Sequence, residues 1–335
     1  MAADCGSGPG REGRHPARTV LVLGGSGFIG RHAVAVLATR DCRVVIGSRY
    51  PARIGRQLRP PARQCARLKV RFEDLCGARD WSGLLEGVDV VLNCVGILRP
   101  RGRETYERVH HLAPAALAAA CRERNCRLIH VSALGLEAPS RSGFSSSKSD
   151  GERAIRASGA DWYLVRPSLL DGEGGYGAKW LRRIARWRIH PVPADAVGRI
   201  AVLDARDLGE ALAELALCPV IVGGEAEDRE FDLGGLQARD LGEHLAALRR
   251  MWSARPAWRL PIPGVLARLG SHVCDLLHVT PYSFGHWELL RRDNCPARNR
   301  LPELLGRAPR QVGAARLRIS LPPSVHRAST LPDAG

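Results

Sequence analysis

The run TVLVLGGSGFIGRHAVAV at 19–36 constrains this chain more than any other stretch. Its apolar opening, 20–23, suits one buried strand. Gly24, Gly27 and Gly30 follow at three-residue spacing, and a helical pattern then continues through Leu37. Gly24 permits a sharp strand-to-helix turn. Gly27 has no Cβ, so the backbone can approach a pyrophosphate, and Gly30 lets the first helix close on the sheet. The amides at the helix start then face the phosphates, where the helix dipole favours negative charge. A plain Gly-rich turn could use the same letters. Here the glycines follow a strand and open a helix, which points to nucleotide binding. Ser26, Phe28 and Ile29 lie within the turn and join the three glycines as candidate cofactor contacts.

Apolar runs at 43–47, 68–72, 88–93, 127–131 and 161–165 read as further strands. Helical patterns at 104–124 and 146–158 separate the later ones. This alternation predicts an α/β fold with a doubly wound parallel Rossmann sheet and right-handed crossovers. A smaller, mostly helical C-terminal substrate region is expected after it. The expected division is a tail at 1–17, a dinucleotide-binding domain at 18–170, a substrate region at 171–318 and a tail at 319–335. Within the substrate region, 198–217 should return to the Rossmann core, with a strand at 198–203 and Asp207 capping a helix through Leu217. Further helices are expected at 179–188, 237–252, 263–278 and 283–292, with a short strand at 231–233. Substrate specificity is expected from loops at about 171–200 and 250–290, since the fold alone does not fix function.

The end of the second strand selects the cofactor. An acid about 20 residues past the glycines would bond the ribose 2′-hydroxyl of NAD. This chain has Ser48 and Arg49 instead, a hydroxyl and a guanidinium suited to a 2′-phosphate. NADP is therefore preferred over NAD. Asp74 and Leu75, after the third strand, can meet the adenine edge. Asn93, Val95 and Gly96 close the fourth strand, where Gly96 would let the chain pass beneath the cofactor.

Of the 50 basic residues only Lys69, Lys148 and Lys179 are lysines, and the net charge is +16. Eight basic residues and no acid fall between Arg49 and Arg71. Most of these read as a solvated face. Without interleaved aromatics beyond Tyr50, a base-stacking nucleic-acid platform is poorly supported. The ten cysteines include no CxxC pair and no metal-ligand spacing, which points to reduced thiols in a cytoplasmic protein with no metal site. No apolar run approaches the roughly 18 residues of a membrane span. The helix after Pro263 carries Val265, Leu266, Leu269, Val273, Leu276 and Leu277 at helical spacing, an ordinary core-facing pattern. Preceded by Arg249, Arg250, Trp252, Arg255, Trp258 and Arg259, it would also suit peripheral attachment to an anionic inner membrane.

Several segments together resemble the extended and atypical short-chain dehydrogenases/reductases. They are GGSGFIG at 24–30, RLIHVSALG at 127–135, FSSSKSDGE at 144–152, RPSLLDGEGG at 166–175 and DARDLGEA at 204–211. With PYSFGHWELLRRDNCP at 281–296, the chain looks most like the group containing the accessory subunit of respiratory complex I and its bacterial relatives. The resemblance covers roughly 19–315. It implies that Ser132 orients a substrate oxygen, that Lys148 bonds the nicotinamide ribose, and that Pro167 borders the cofactor. It also implies a catalytic Tyr four residues before Lys148, and that position is Phe144. A phenyl ring has no proton to give, and the loss removes a contribution of typically about 10²–10⁴ in rate.

The expected function is thus an NADP(H)-binding protein with weakened or absent dehydrogenase chemistry, acting as a structural, assembly or redox-sensing partner of another protein. The alternative is an active oxidoreductase or sugar-nucleotide epimerase-like enzyme on an unknown small-molecule substrate, using a substitute acid or base. Tyr106, His110 and Tyr176 are the candidates for that role, although each suits a packing or surface position.

Overall fold

The computed structural model describes residues 17–56, 58–137, 139–218, 226–278 and 280–313. The expected tails at 1–17 and 319–335 fall outside them, apart from residue 17. A seven-stranded sheet forms the centre, in the order β10-β6-β5-β4-β1-β2-β3. Its strands are β1 (Thr19–Leu23), β2 (Arg43–Ser48), β3 (Ala66–Lys69), β4 (Val90–Asn93), β5 (Arg127–Val131), β6 (Trp162–Pro167) and β10 (Glu230–Leu233). Every pairing within it is parallel.

The sheet is covered on both faces because successive strand residues point to opposite sides. Val20 and Val22 of β1 pack with Ala33, Val34 and Leu37 of α1 (Phe28–Leu37) and with Leu208 and Leu212 of α5 (Ala205–Leu217). Leu21 and Leu23 pack on the other face with Trp81, with Leu117 and Cys121 of α2 (Ala113–Arg124), and with Ile155 of α3 (Gly143–Ala157). Strand order reverses between β4 and β1, so their carboxyl ends open the crevice where such sheets bind ligands.

Some expected elements are redrawn. The third strand ends at Lys69, and Phe72 turns into the helical layer, edge-on to Trp81 at 5.6 Å between ring centroids. The helix expected at 104–124 opens as a wide π turn, Glu107–Leu112, before α2. Pro114 has no N–H for the His110 carbonyl four residues back, so the regular ladder cannot run through. α3 presses on the carbonyl left over, since a Cβ at Gly151 would lie 2.0 Å from His110 O. α3 itself begins at Gly143 rather than 146, which puts Phe144 in its first turn.

The 198–203 strand shrinks to β9 (Leu203–Asp204), paired with β7 (Leu170–Asp171). Ile200 instead bridges Arg239 and Asn294. Asp204, not Asp207, caps α5, accepting Arg206 N–H at 2.8 Å. Asp207 is fully buried one turn in, paired with Arg307 at 2.7 Å and with Arg310. α6 (Leu241–Arg250) starts late because Asp240 and Glu243 form a reciprocal capping box.

The C-terminal elements are α4 (Tyr176–Ala185), β8 (Ile189–Pro193), α6, β11 (Trp258–Ile262), α7 (Gly264–Leu277), α8 (Phe284–Leu290) and α9 (Leu301–Leu305). Ile184, Val192, Leu241, Leu245 and Leu248 form their own small core. β8 and β11 make a two-stranded parallel ribbon. The apolar residues of α7 do not face a core. Only Ala267 and Ser271 are buried, and the stripe from Val265 to Leu277 is exposed.

Candidate active site

The 24–30 turn has the geometry its glycines demand. Gly24 has φ +70°, and a Cβ there would lie 3.1 Å from the Cys94 carbonyl. A Cβ on Gly30 would lie 2.4 Å from Gly24 O, so no other residue lets α1 begin so close to β1. Gly27 caps α1 with extended backbone. No side chain caps that helix and no acid occupies its first turn, leaving its first amides open to an anion. The turn therefore fits a diphosphate.

At the end of β2, Ser48 is buried and its Oγ lies 2.9 Å from Ser26 Oγ, tying the glycine turn to the strand. Arg49 is half-exposed and ion-paired with Glu104. A 2′-phosphate at Arg49 would have to displace that carboxylate. Asp74 pairs with Arg103 at 3.0 Å, and Leu75 packs at the margin of the core. Ser48 closes β2, and Asp74 and Leu75 follow β3, its neighbour in the sheet.

Asn93 is fully buried and shapes the β4 loop rather than lining the cleft. Its Oδ1 accepts Val95 N–H at 3.1 Å, and its Nδ2 donates to His130 Nδ1 at 3.0 Å. Burial, with Lys148 nearby, brings His130 down to about 3, so its ring is neutral. Gly27, Phe28, Ile29, Val95, Gly96 and Pro167 line one cleft with Ser132, Phe144 and Lys148. Lys148 is buried, and among the described residues its Nζ has no hydrogen-bond partner. Burial lowers its ammonium to about 8, against an opposing pull from Glu152. Glu152 itself serves Arg166, accepting from Nη2 at 2.8 Å. Burial alone would raise the Glu152 carboxyl, but the hydrogen bonds and charge of Arg166 hold it below its usual range. Ser132 Oγ leans toward Glu152 without closing a hydrogen bond of ordinary geometry.

Phe144 is enclosed by polar rings. Its centroid lies 5.5 Å from His110, 6.1 Å from Tyr106 and 6.0 Å from His286, with Lys148 Nζ at 5.7 Å. His110 is fully engaged. Its Nε2 accepts Ile97 N–H at 3.1 Å, so Nδ1 carries the proton and donates to Ser147 Oγ at 3.1 Å. Tyr106 donates to Leu98 O at 2.7 Å, and burial then Asp275 push its hydroxyl up to about 12. Neither side chain has a proton to offer the cleft. Tyr176 does line it, half-exposed. So does His286, lowered to about 4 by burial and then Arg99. Ser283 Oγ accepts His286 N–H at 3.2 Å and lies 2.6 Å from its Nδ1.

The cleft measures about 720 Å³ and continues past Lys148 between apolar walls. Trp180, Leu181 and Ile184 of α4, Leu241 and Leu245 of α6, and Ile262 of β11 form its far end. Among the described residues no cluster of His, Cys, Asp and Glu could hold a metal ion. The nine described cysteines are free thiols; Cys5 lies outside the described residues.

Residues 24–206 match the sequence profile of the NAD(P)H-binding family. The chain belongs to that family, within the atypical short-chain dehydrogenases/reductases. Its cofactor is accordingly an NAD(P)-type dinucleotide. Ceramide reductase of Caulobacter vibrioides is 30% identical to this chain over 83% of it and 86% of that protein. The 40 kDa subunit of NADH-ubiquinone oxidoreductase from Neurospora crassa is 29% identical, over 46% of this chain and 41% of that protein. Triphenylmethane reductase of Citrobacter sp., solved with NADP(H), has the same fold, with a TM-score of 0.67 at 14% identity over 88% of this chain and 97% of that one.

Three parts of this dehydrogenase-type site were not singled out from sequence. Gly25 belongs to the turn as firmly as its neighbours, since a Cβ there would lie 2.8 Å from Ile46 Cγ2; the GG doublet was its signal. Glu104 reaches Arg49 from 55 positions away, and nothing local marks that pairing. His286 lies inside the quoted 281–296 segment, but only the fold stacks it on Phe144.

Proposed function

We propose that the chain is an NADP(H)-dependent reductase of a carbonyl group on a long-chain, lipid-type substrate. The observation that carries this is the cleft, which runs from the glycine turn and Lys148 into an apolar chamber. Such a wall suits acyl chains, whereas a sugar nucleotide would leave hydroxyls against it unpaired. The similarity to ceramide reductase along most of both chains supports the same choice. The half-exposed Arg49, next to Ser48, favours a 2′-phosphate and so NADP.

A bound dihydronicotinamide supplies the hydride for such a reduction. Lys148 supplies the proton, taking the step that the missing Tyr would mediate. A buried ammonium with its pKa near 8 is a far better acid than a solvated lysine and is still charged at neutral pH. Ser132 Oγ–H, a neutral donor in the same cleft, holds the substrate oxygen. Solvent then reprotonates Lys148.

A second reading rests on Phe144 alone. Boxed between His110 and His286, it leaves the cofactor without its usual hydroxyl neighbour and suits a protein that holds NADP(H) for a structural, assembly or redox-sensing role. Oxidation of NADPH, followed by absorbance with a long-chain ketoamide in detergent, separates the two. Substrate-dependent oxidation that disappears in Lys148→Ala supports the reductase. Tight NADPH binding with no oxidation, by lipid ketones or by water-soluble carbonyl compounds, overturns it and leaves the second reading.

A further inference from the structure

We propose that β11 and α7 dock the protein on an anionic lipid bilayer, with the mouth of the cleft against the membrane. The ribbon provides the first observation. Its register pairs Trp258 with Ile189, Leu260 with Pro191, and Ile262 with Pro193. Alternate strand residues share a face, so these six make one uninterrupted apolar surface. Its inner members, Ile262, Pro191 and Pro193, line the cleft. Its outer members are exposed, Trp258 at 82% and Ile189 and Leu260 at about half. An apolar track thus leads from the chamber to solvent.

α7 widens that track. One side of the helix is tied down: Asp275 accepts Arg99 Nε at 2.8 Å and Phe284 N–H at 2.8 Å. The opposite side shows solvent Val265 at 80%, Leu269 at 61% and Leu276 at 79%, with Leu266, Val273 and Leu277 also exposed. Leu266, at the rim, lines the cleft as well. A contiguous exposed apolar patch of this kind marks an interaction site.

Charge selects the occupant. Segments 176–193 and 249–278 together hold ten Lys and Arg and one acid, Asp275, which Arg99 neutralises. Arg183, Arg186, Arg188, Arg255 and Arg268 are exposed with no carboxylate partner among the described residues. Arg186 stacks over Trp252 at 4.2 Å, and Trp187 is half-exposed nearby. Apolar side chains rimmed by indoles and arginines match an interface of acyl chains and anionic headgroups. A second copy would bring the same cations to the same face and be repelled. Docking stands on these surface residues. Only its purpose, admitting a lipid to the cleft, rests on the reductase reading. No helix among the described residues is long and apolar enough to cross a membrane.

The test is co-sedimentation of the full chain with vesicles of phosphatidylcholine, with and without phosphatidylglycerol, at low and high salt. The expected result is binding to the anionic vesicles only, weakened by salt, and weaker by about fivefold for each arginine removed in Arg255→Gln and Arg268→Gln. Leu269→Glu and Leu276→Glu should abolish it while NADPH still raises the melting temperature, which shows that those variants fold. Failure to bind anionic vesicles, equal binding by the Leu variants, or dimerisation in solution through this face would overturn docking. A chain that binds vesicles yet never reduces a lipid carbonyl keeps the docking surface and loses the reductase. A chain that reduces soluble ketoamides but stays in the supernatant does the reverse.

Discussion

Replacing Lys148 with Met should make the free protein more stable. Lys148 is buried in the wall of the cleft, its ammonium has no hydrogen-bond partner among the described residues, and burial brings its pKa from 10.5 down to about 8. A drop of that size corresponds to roughly 3 kcal/mol held against the charged form. The direction with pH follows. Below about 8 both folded and unfolded chains carry the proton, and the whole cost is present. Between 8 and 10.5 the folded chain releases it first, the unfolded state binds more protons, and stability rises with pH. Met matches the stem of Lys in length and shape without the charge. Urea denaturation followed by tryptophan fluorescence should therefore give Lys148→Met an advantage of up to about 3 kcal/mol near pH 7, shrinking toward zero by about pH 10.5. Saturating NADPH should narrow the gap, because ribose hydroxyls give the wild-type ammonium a partner. A Lys148→Met protein less stable than wild type at neutral pH would refute the reasoning, since it would mean that the charge is already satisfied.

Phe144→Tyr restores a hydroxyl beside Lys148 and should raise NADPH-dependent turnover by about 10² or more, the low end of the 10²–10⁴ typical of a general acid; unchanged steady-state rates would mean chemistry is not limited there. Arg49→Ala should weaken NADPH about tenfold, as expected for losing one charge-assisted contact, and leave NADH unchanged, as read by calorimetric titration. Asp207→Ala removes a fully buried carboxylate that accepts from Arg307 and Arg310, while both partly exposed arginines keep Glu210, and should cost about 2 kcal/mol in denaturant unfolding, the scale of lost charge-assisted hydrogen bonds.

What the sequence revealed depended on how local its causes were. The glycine turn and the parallel alternation could be read directly, because spacing and period 2 act within a few residues. The resemblance placed Ser132, Phe144 and Lys148, and the fold brings all three to one cleft. Errors arose where distant partners decide. Asp207 has the sequence look of a cap, but Arg307 and Arg310, a hundred residues on, draw it inward while Asp204 takes the cap. The stripe on α7 has the period of a core helix. Its exposure depends on which elements pack beside it, and periodicity carries no information about that. His286 and Glu104 were invisible for the same reason: each matters through a neighbour set by the fold.

The 24–30 turn holds a dinucleotide beside an ammonium, that of Lys148, with no hydrogen-bond partner among the described residues. Calorimetric titration of the full chain with NADPH and NADH tests this most directly. It should show saturable one-site binding, tighter for NADPH and weakened in Lys148→Met. A folded protein that binds neither nucleotide would contradict it.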